Sequence, residues 1–145
     1  MRTDSQSERV VHGSCVAFGP AAVLISGAAG SGKSALSLQL MALGAELIAD
    51  DRTQLTVIGG TAIRASCPEA IRGRIEARGI GILAAESRSS AIVNLSVDLD
   101  TTETERLPPH RTVCILGIRI PLLHRCACDH FPASIIQYLK GGRAD

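Results

Sequence analysis

The sequence predicts a single α/β domain with a mixed central β-sheet, and three observations lead to it. Residues 21–50 have the pattern of a strand, a glycine-rich loop, a helix and a second strand, which is a βαβ unit. Several short apolar runs follow without long helical segments between them, so a purely parallel sheet is not expected. The length of 145 residues suits one domain with a single core.

Apolar runs bounded by turn residues predict the strands. Six segments have this character: 14–19, 21–27, 45–50, 54–60, 79–83 and 91–99. Residues 111–123 also have strand character, and Gly117 in their middle predicts a hairpin. The polar segment 100–110 contains two prolines and is predicted to be a loop.

Helical periodicity is confined to a few segments. Leu36, Leu40 and Leu43 recur on one face of a helix predicted over 33–43, which Gly44 ends. A second helix is predicted over 132–140, beginning at a proline. Residues 68–74 have the pattern of a short helix.

Composition excludes several classes of function. The formal net charge is +1 and only 2% of the residues are aromatic, so neither a phosphate-binding basic stripe nor a base-stacking surface is expected. No apolar run reaches the roughly 18 residues of a membrane span. Residues 1–9 are polar, lack the apolar core of a secretory signal and are predicted to be a disordered tail before a domain at 10–145. We therefore expect no nucleic-acid partner, no association with a membrane, and a cytoplasmic location.

The five cysteines are odd in number and scattered, which predicts reduced thiols rather than a disulfide framework. The stretch "CACDH" at 126–130 offers possible metal ligands. It lacks the second ligand pair of a structural zinc site, so incidental residues are favoured over a metal centre.

The stretch "GAAGSGKS" satisfies the phosphate-loop pattern G-x-x-x-x-G-K-[ST]. Its backbone N–H groups and the start of the following helix are expected to bind a phosphate. The lysine can reach the β- and γ-phosphates and the last serine can bind Mg²⁺. The predicted nucleotide-binding residues are Gly27, Ala28, Ala29, Gly30, Ser31, Gly32, Lys33 and Ser34.

A carboxylate beside the metal and the transferred phosphoryl group completes such a site. Asp50 and Asp51 end one apolar strand, and Asp98 ends another. Asp50 is favoured because it belongs to the strand that directly follows the P-loop helix and because it is one of a pair. Neighbouring acids on a strand end point to opposite sides, so Asp50 and Asp51 are expected to have different roles.

Four motifs in order resemble the catalytic domain of bacterial HPr kinase/phosphorylase. They are "HG" at 12–13, "LISGAAGSGKS" at 24–34, "GAELIADD" at 44–51 and "IEARGIGIL" at 75–83. The resemblance implies an HPr kinase and PEP carboxykinase-like fold. It also implies an ATP- and Mg²⁺-dependent serine protein kinase whose substrate is the phosphocarrier HPr or a nitrogen-system relative.

The resemblance implies a role for each matching residue. Asp50 is the general base towards a protein serine hydroxyl and the general acid in reverse, and Asp51 supports it. Lys33 binds phosphate, Ser34 and Glu76 bind the metal, and His12 lies near the catalytic carboxylate. Arg78 belongs to the same signature as Glu76, and Arg106 corresponds to the mobile-loop arginine of the family. In the reverse reaction inorganic phosphate attacks phosphoserine and releases pyrophosphate, and the assembly is a hexamer.

The sequence also departs from the family. There is no room for the family's extra N-terminal domain, so a catalytic core alone is expected. The glycine-rich "FGA" stretch is missing, and the late P-V-x-x-G-R-N element is not clear in "IPLLHRCACDHF". These departures bear on the docking surface, the oligomer contacts and the phosphorolysis step. A P-loop small-molecule kinase and a nucleotide-sensing module with weak hydrolysis remain as alternatives.

Overall fold

A curled, mixed β-sheet of nine strands forms the centre of the domain. The structure is a computed structural model and describes residues 7–145. The strands are β1 Glu8–Val11, β2 Gly13–Phe18, β3 Ala21–Ser26, β4 Glu46–Ala49, β5 Thr53–Ile58, β6 Ala62–Ser66, β7 Arg74–Ala77, β8 Gly81–Ala84, β9 Ser90–Thr102, β10 Arg111–Ile115 and β11 Ile118–Arg125. The helices are α1 Lys33–Ala42 and α2 Phe131–Gly141, with a 3₁₀ turn at Glu69–Ile71.

The long strand β9 organises the sheet. The strand order is β1-β5-β6-β9-β3-β2-β4, and β11 also pairs with β9 and carries β10. One edge of β9 pairs with β3 in parallel. The other edge pairs first with β6, antiparallel, and then with β11, in parallel. The predicted α/β class with a mixed sheet is therefore confirmed, and the hairpin of β7 and β8 lies outside this sheet.

The core lies on both faces of the central strands. On one face Val23 and Ile25 of β3 pack with Leu40 of α1 and Ile135 of α2. On the other face Leu24 packs in a second cluster with side chains of the curled outer strands. Because β2 and β3 are buried on both faces, their sequences are continuous apolar runs rather than alternating ones.

Most predicted elements are present, with shifted ends. The hairpin about Gly117 is confirmed, with Leu116 and Gly117 both at positive φ, as a tight turn between twisted strands requires. The boundary predicted at residue 99 is wrong, because β9 continues to Thr102 through its pairing with Arg125. The loop therefore covers 103–110 rather than 100–110.

Three strands escaped the sequence analysis. Edge strand β1 includes Glu8 and Arg9, for which the sequence predicts a disordered tail. Pairing with β5 orders these two residues, so the prediction is wrong for them. Residues 1–6 of the predicted tail lie outside the described residues. Strand β6 pairs between β5 and β9. The third missed strand is β7, because the short helix predicted over 68–74 is only a 3₁₀ turn at Glu69–Ile71, and β7 begins at Arg74. Strand β8 is predicted, but it covers 81–84 rather than 79–83. These strands are short and half exposed, so their apolar signal is weak.

Glu103 anchors the loop at 103–110 to the sheet. Its N–H donates to the carbonyl of Arg125 at 2.8 Å. Its carboxylate accepts two hydrogen bonds from Arg111, each 3.0 Å long. Hydrogen bonding from Arg111 lowers the pKa of Glu103 to about 2.

Glu103→Gln is expected to lower the melting temperature at pH 7 and to matter progressively less in acid. A carboxyl whose folded pKa is depressed stabilises the fold above its unfolded pKa of about 4.3, and the stabilisation is lost as the pH falls towards the folded value. Melting curves of wild type and variant between pH 7 and pH 2 test this. Glu105→Gln is the control, because Glu105 is more exposed and 3.7 Å from Arg111. A pH-independent difference would contradict the prediction.

Candidate active site

The glycine-rich loop connects the end of β3 to the start of α1, in the order that the sequence predicts. Gly27 has a φ of 152°, and a Cβ there would lie 2.5 Å from the Ser31 hydroxyl oxygen. Gly32 precedes α1 at a φ of 106°. A side chain would strain both positions, so glycine is needed to turn the loop into the helix.

Lys33 lies inside this loop. It is only 6% exposed, and its Nζ donates to the carbonyl oxygens of Gly27 at 2.9 Å and Ala28 at 3.1 Å. A buried ammonium group requires such partners. The loop therefore holds the positive charge at its own centre, where an anion in the loop would meet it.

Asp50 lies at the end of β4 and accepts hydrogen bonds from three different elements. Its Oδ1 accepts from the Ser34 hydroxyl at 2.6 Å and from the Ser14 hydroxyl at 3.0 Å. Its Oδ2 accepts from the Glu76 N–H at 3.0 Å. These bonds fix the orientation of the carboxylate and tie it to α1, β2 and β7.

Asp51 lines the same cavity as Asp50 but has a different side-chain partner. Its Oδ1 is 2.6 Å from His12 Nε2, and its N–H donates to the Ser14 hydroxyl at 3.0 Å. Its φ of 67° is a left-handed conformation that aspartate tolerates better than most residues. Ser14 therefore links the Asp50 carboxylate, to which its hydroxyl donates, with the backbone N–H of Asp51, from which its oxygen accepts.

One cavity of about 760 Å³ unites most of the predicted site residues. Its lining includes eight of them: His12, Ala29, Gly30, Lys33, Ser34, Asp50, Asp51 and Glu76. Arg78 also lines it. Serine and carboxylate oxygens on one side of a cavity form a donor set that suits Mg²⁺, and the lysine suits a phosphate. The residues present therefore fit a nucleotide and its metal ion.

Six candidates do not line this cavity in the described part of the chain: Gly27, Ala28, Ser31 and Gly32 of the loop, Arg106, and Asp98. Arg106 is exposed in the loop at 103–110, and within residues 7–145 it is not part of the lining. Its catalytic role stays a prediction. Asp98 accepts hydrogen bonds from the Asp100 N–H at 2.8 Å and the Thr101 hydroxyl at 3.0 Å, so its carboxylate is engaged at the register shift within β9. It does not line the cavity in the described part of the chain either.

Three residues that hold the site were missed. Ser14 had no motif to identify it. Asp100, assigned to a loop, accepts from the Ala28 N–H with both carboxylate oxygens at 3.0 Å. Arg125 donates to the carbonyl oxygens of Ser31 and Leu99. Asp100 and Arg125 thus hold the glycine-rich loop from β9 and β11, and only strand pairing places them there.

Comparison with known proteins identifies the family. A family model described as the HPr Serine kinase C-terminal domain matches residues 4–124. The chain belongs to this family. Among curated members, HPr kinase/phosphorylase of Stenotrophomonas maltophilia (strain K279a) is 40% identical over 74 residues, which are 51% of this chain and 23% of the relative. The Xylella fastidiosa (strain M12) protein is 41% identical over 73 residues, again 23% of its length.

The chain therefore matches less than a quarter of the length of these HPr kinase relatives. A solved HPr(Ser) kinase/phosphatase from Coxiella burnetii superposes with a TM-score of 0.76 at 28% identity. That match covers 91% of this chain and 94% of the Coxiella chain, so the HPr kinase fold extends over nearly all of the protein. Among residues 7–145 no helix has the length and apolarity to cross a bilayer.

Proposed function

We propose that the protein is an ATP- and Mg²⁺-dependent kinase that phosphorylates a serine of an HPr-type phosphocarrier or of a nitrogen-system relative. The observation that carries the proposal is the position of Asp50. Its carboxylate is 2.6 Å from the Ser34 hydroxyl, at the start of α1, in the same cavity as Lys33. A carboxylate that would serve as the base thus lies beside the loop that would hold the donor phosphate. Membership of the HPr kinase family supports this reading.

Lys33, Ser34 and the loop residues from Gly27 to Gly32 would bind the triphosphate. Lys33 would exchange its bonds to the two loop carbonyls for phosphate oxygens, because an ammonium group binds an anionic oxygen more strongly than a neutral carbonyl. Ser34 and Glu76 would hold Mg²⁺, which when bound neutralises charge on the phosphates. Such positioning and neutralisation supply most of the catalysis of phosphoryl transfer.

Asp50 would take the proton of the attacking serine hydroxyl. The serine oxygen would bond to the γ-phosphorus as the bond between that phosphorus and the departing ADP oxygen breaks. The bonds from Ser14 and the Glu76 N–H keep the carboxylate aimed while it acts. Asp51 and His12 would support it through their 2.6 Å contact at the rim of the cavity. In the reverse direction Asp50 would return the proton to serine while phosphate forms pyrophosphate.

The remaining features of the proposal follow from the family resemblance. We include phosphorolysis by inorganic phosphate, an arginine contribution from Arg106, a hexameric assembly and a cytoplasmic location. Arg106 is exposed, so it would reach a phosphoryl group only after the loop at 103–110 moves or from a neighbouring subunit. Either route is open to a side chain at a loop tip.

The hairpin of β7 and β8 favours a protein acceptor over a small molecule. Ile80, which lines the cavity, is 77% exposed, and Ile82 is 64% exposed. Exposed apolar side chains clustered beside a site commonly mark a protein-binding surface. The hairpin therefore offers an apolar docking edge next to the proposed base.

Ile82→Asp is expected to raise the KM for HPr about tenfold while the KM for ATP stays unchanged, because an apolar contact at an interface is lost. Steady-state kinetics with each substrate varied in turn measure this. Leu43→Asp is the matched control, since Leu43 is 47% exposed at the far end of α1. Equal effects of the two variants on the KM for HPr would contradict a docking role for the hairpin.

Glu76→Gln is expected to raise the Mg²⁺ concentration for half-maximal activity about tenfold, because a neutral amide is a weaker ligand for a hard cation than a carboxylate. The backbone bond from Glu76 to Asp50 remains in this variant, so the base keeps its orientation. Rate measurements across a Mg²⁺ titration test the prediction. Glu69→Gln serves as the control, because Glu69 lies in the 3₁₀ turn outside the cavity. An unchanged Mg²⁺ requirement would remove Glu76 from the metal site.

Incubation with ATP, Mg²⁺ and candidate HPr-type carriers tests the proposed function. Mass spectrometry is expected to find one phosphoserine on a carrier, and phosphoserine-HPr with inorganic phosphate is expected to yield pyrophosphate. Failure to phosphorylate any of several cognate carriers would overturn the kinase proposal. Forward activity without pyrophosphate formation would overturn only the phosphorolysis step.

A further inference from the structure

A cluster of two cysteines and a histidine lies between β11 and α2, outside the proposed kinase site. The ligand atoms of Cys126, Cys128 and His130 all lie within 4.8 Å of one another. Cys128 Sγ is 3.4 Å from His130 Nε2. Cys126 and Cys128 are joined as a disulfide, with their Cα atoms 5.5 Å apart. For this pair the sequence-based expectation of reduced thiols is wrong.

We propose that these three side chains, with both cysteines reduced, form a binding site for a thiolate-preferring divalent cation of the Zn²⁺ type. Two thiolates and one imidazole are the ligands that such an ion selects over Mg²⁺ and Ca²⁺. The site does not depend on the proposed kinase function, because none of its ligands lines the cavity that contains Asp50.

The distances agree with tetrahedral coordination. Zn–S bonds of about 2.3 Å and Zn–N bonds of about 2.05 Å at tetrahedral angles place sulfur and nitrogen about 3.6 Å apart. The observed separation of 3.4 Å between Cys128 Sγ and His130 Nε2 is close to that value. Once the disulfide is open, the two sulfurs need to separate to about 3.8 Å to bind one ion. Side-chain rotation can provide this without moving the Cα atoms.

The backbone holds the ligands ready. The Cys128 N–H donates to the Cys126 carbonyl at 2.9 Å, and the Phe131 N–H donates to the Cys128 carbonyl at 3.3 Å. The Ser134 N–H donates to the His130 carbonyl at 2.8 Å, at the start of α2. A turn and a helix start therefore fix all three ligand positions, which lowers the conformational entropy lost on binding.

The absence of a second ligand pair does not exclude this site. A second ligand pair is required in closed structural sites, which have four protein ligands. Open sites use three protein ligands and leave the fourth position to water or another ligand. Cys126 and Cys128 are half-buried and His130 is exposed, so an ion can enter from solvent. The cysteines also line a cavity of about 540 Å³ that reaches Gly32 of the glycine-rich loop.

The disulfide and the metal ion exclude each other, because both use the same sulfur atoms. Oxidation by a peroxide converts the two thiols to the disulfide, and hydrogen peroxide takes up two electrons and two protons to become two waters. The oxidised protein then lacks both thiolate ligands. The same protein can therefore be tested in two forms: the reduced form, which has both thiolate ligands, and the oxidised form, which has neither.

Titration of the phosphine-reduced protein with Co²⁺, a spectroscopic substitute for Zn²⁺, tests the proposal. We expect thiolate-to-cobalt charge-transfer absorption that saturates at one ion per chain and disappears when Zn²⁺ is added. The peroxide-oxidised protein is expected to show no such absorption. Absence of the band in the reduced wild type, or its presence at equal strength after oxidation, would overturn the site.

Variants assign the ligands. Cys126→Ser and Cys128→Ser are expected to lose the band, and His130→Ala to weaken Co²⁺ binding by at least about tenfold. Cys114→Ser is the matched control, since Cys114 is an exposed free cysteine away from the cluster. Circular dichroism shows whether each variant is folded, and Cys126→Ala is a second choice if the serine variant is not. Unchanged affinity in the folded cysteine variants or in His130→Ala would contradict the three-ligand site.

Discussion

Asp50→Asn is expected to reduce serine phosphorylation of HPr by about 10²–10⁴-fold, the usual contribution of a positioned general base. The amide has nearly the shape of the carboxylate but cannot take the serine proton. It retains one oxygen, which can still accept from Ser34 and Ser14. Its amino group would then face the Glu76 N–H, so a modest loss of stability accompanies the change. Single-turnover transfer of labelled phosphate from ATP to HPr measures the effect.

Binding of ATP distinguishes a lost base from a lost site. A fluorescent ATP analogue is expected to bind Asp50→Asn within about threefold of wild type, because the loop and Lys33 are unchanged. Asp145→Asn is the control for removal of a carboxylate, since Asp145 forms an exposed ion pair with Arg143. Transfer at the wild-type rate in Asp50→Asn would show that another group accepts the proton. Nucleotide binding without transfer in the wild type would instead indicate a nucleotide-sensing module.

Lys33→Met is expected to lose both ATP affinity and phosphoryl transfer, each by at least about tenfold, because the loop loses the charge that faces the phosphates. Methionine keeps the length of the side chain and removes the ammonium group. The carbonyls of Gly27 and Ala28 lose a donor, but Gly27 is only half-buried and Ala28 is exposed, so water can replace it. Isothermal titration with ATP and the HPr assay measure the two losses.

Lys140→Met is the matched control for this variant, because Lys140 is the other lysine of the chain. It lies in α2, with its Nζ 5.6 Å from the ring centre of Phe18, and it does not line the active-site cavity within residues 7–145. Its replacement is expected to leave ATP affinity unchanged. Equal losses in the two lysine variants would point to a general effect of charge rather than to a phosphate contact.

Local patterns in the sequence contain much of the site. The glycine-rich loop, the first helix and the Asp50–Asp51 strand end are predicted correctly, because each depends on backbone preferences and apolar spacing over a few residues. The two adjacent carboxylates have different partners, Ser34 for Asp50 and His12 for Asp51. Short half-exposed strands such as β1 and β6 were missed, because pairing partners distant in sequence stabilise them.

Contacts between residues distant in sequence could not be predicted from local patterns. Asp50 and Asp98 both end apolar strands, and the sequence favours Asp50 while position alone also allows Asp98. Pairing and curling of the sheet bring Asp50 to Ser34, Ser14 and the Glu76 N–H, whereas Asp98 bonds only locally within β9, to Thr101 and the Asp100 N–H. Asp100 reaches the Ala28 N–H across 72 residues for the same reason. Such contacts depend on strand register, which local sequence specifies only weakly.

The chain thus carries in its local sequence a glycine-rich loop, a paired acid and the order of motifs typical of the HPr kinase family. These features survive without tertiary information because glycine conformations and apolar runs act over short distances. Which acid faces the cavity, how Asp100 and Arg125 hold the loop, and the meeting of Cys126, Cys128 and His130 emerge only on folding. Asp100 and Arg125 meet the loop because β9 and β11 lie side by side. Cys126, Cys128 and His130 meet because the segment after β11 turns back into α2.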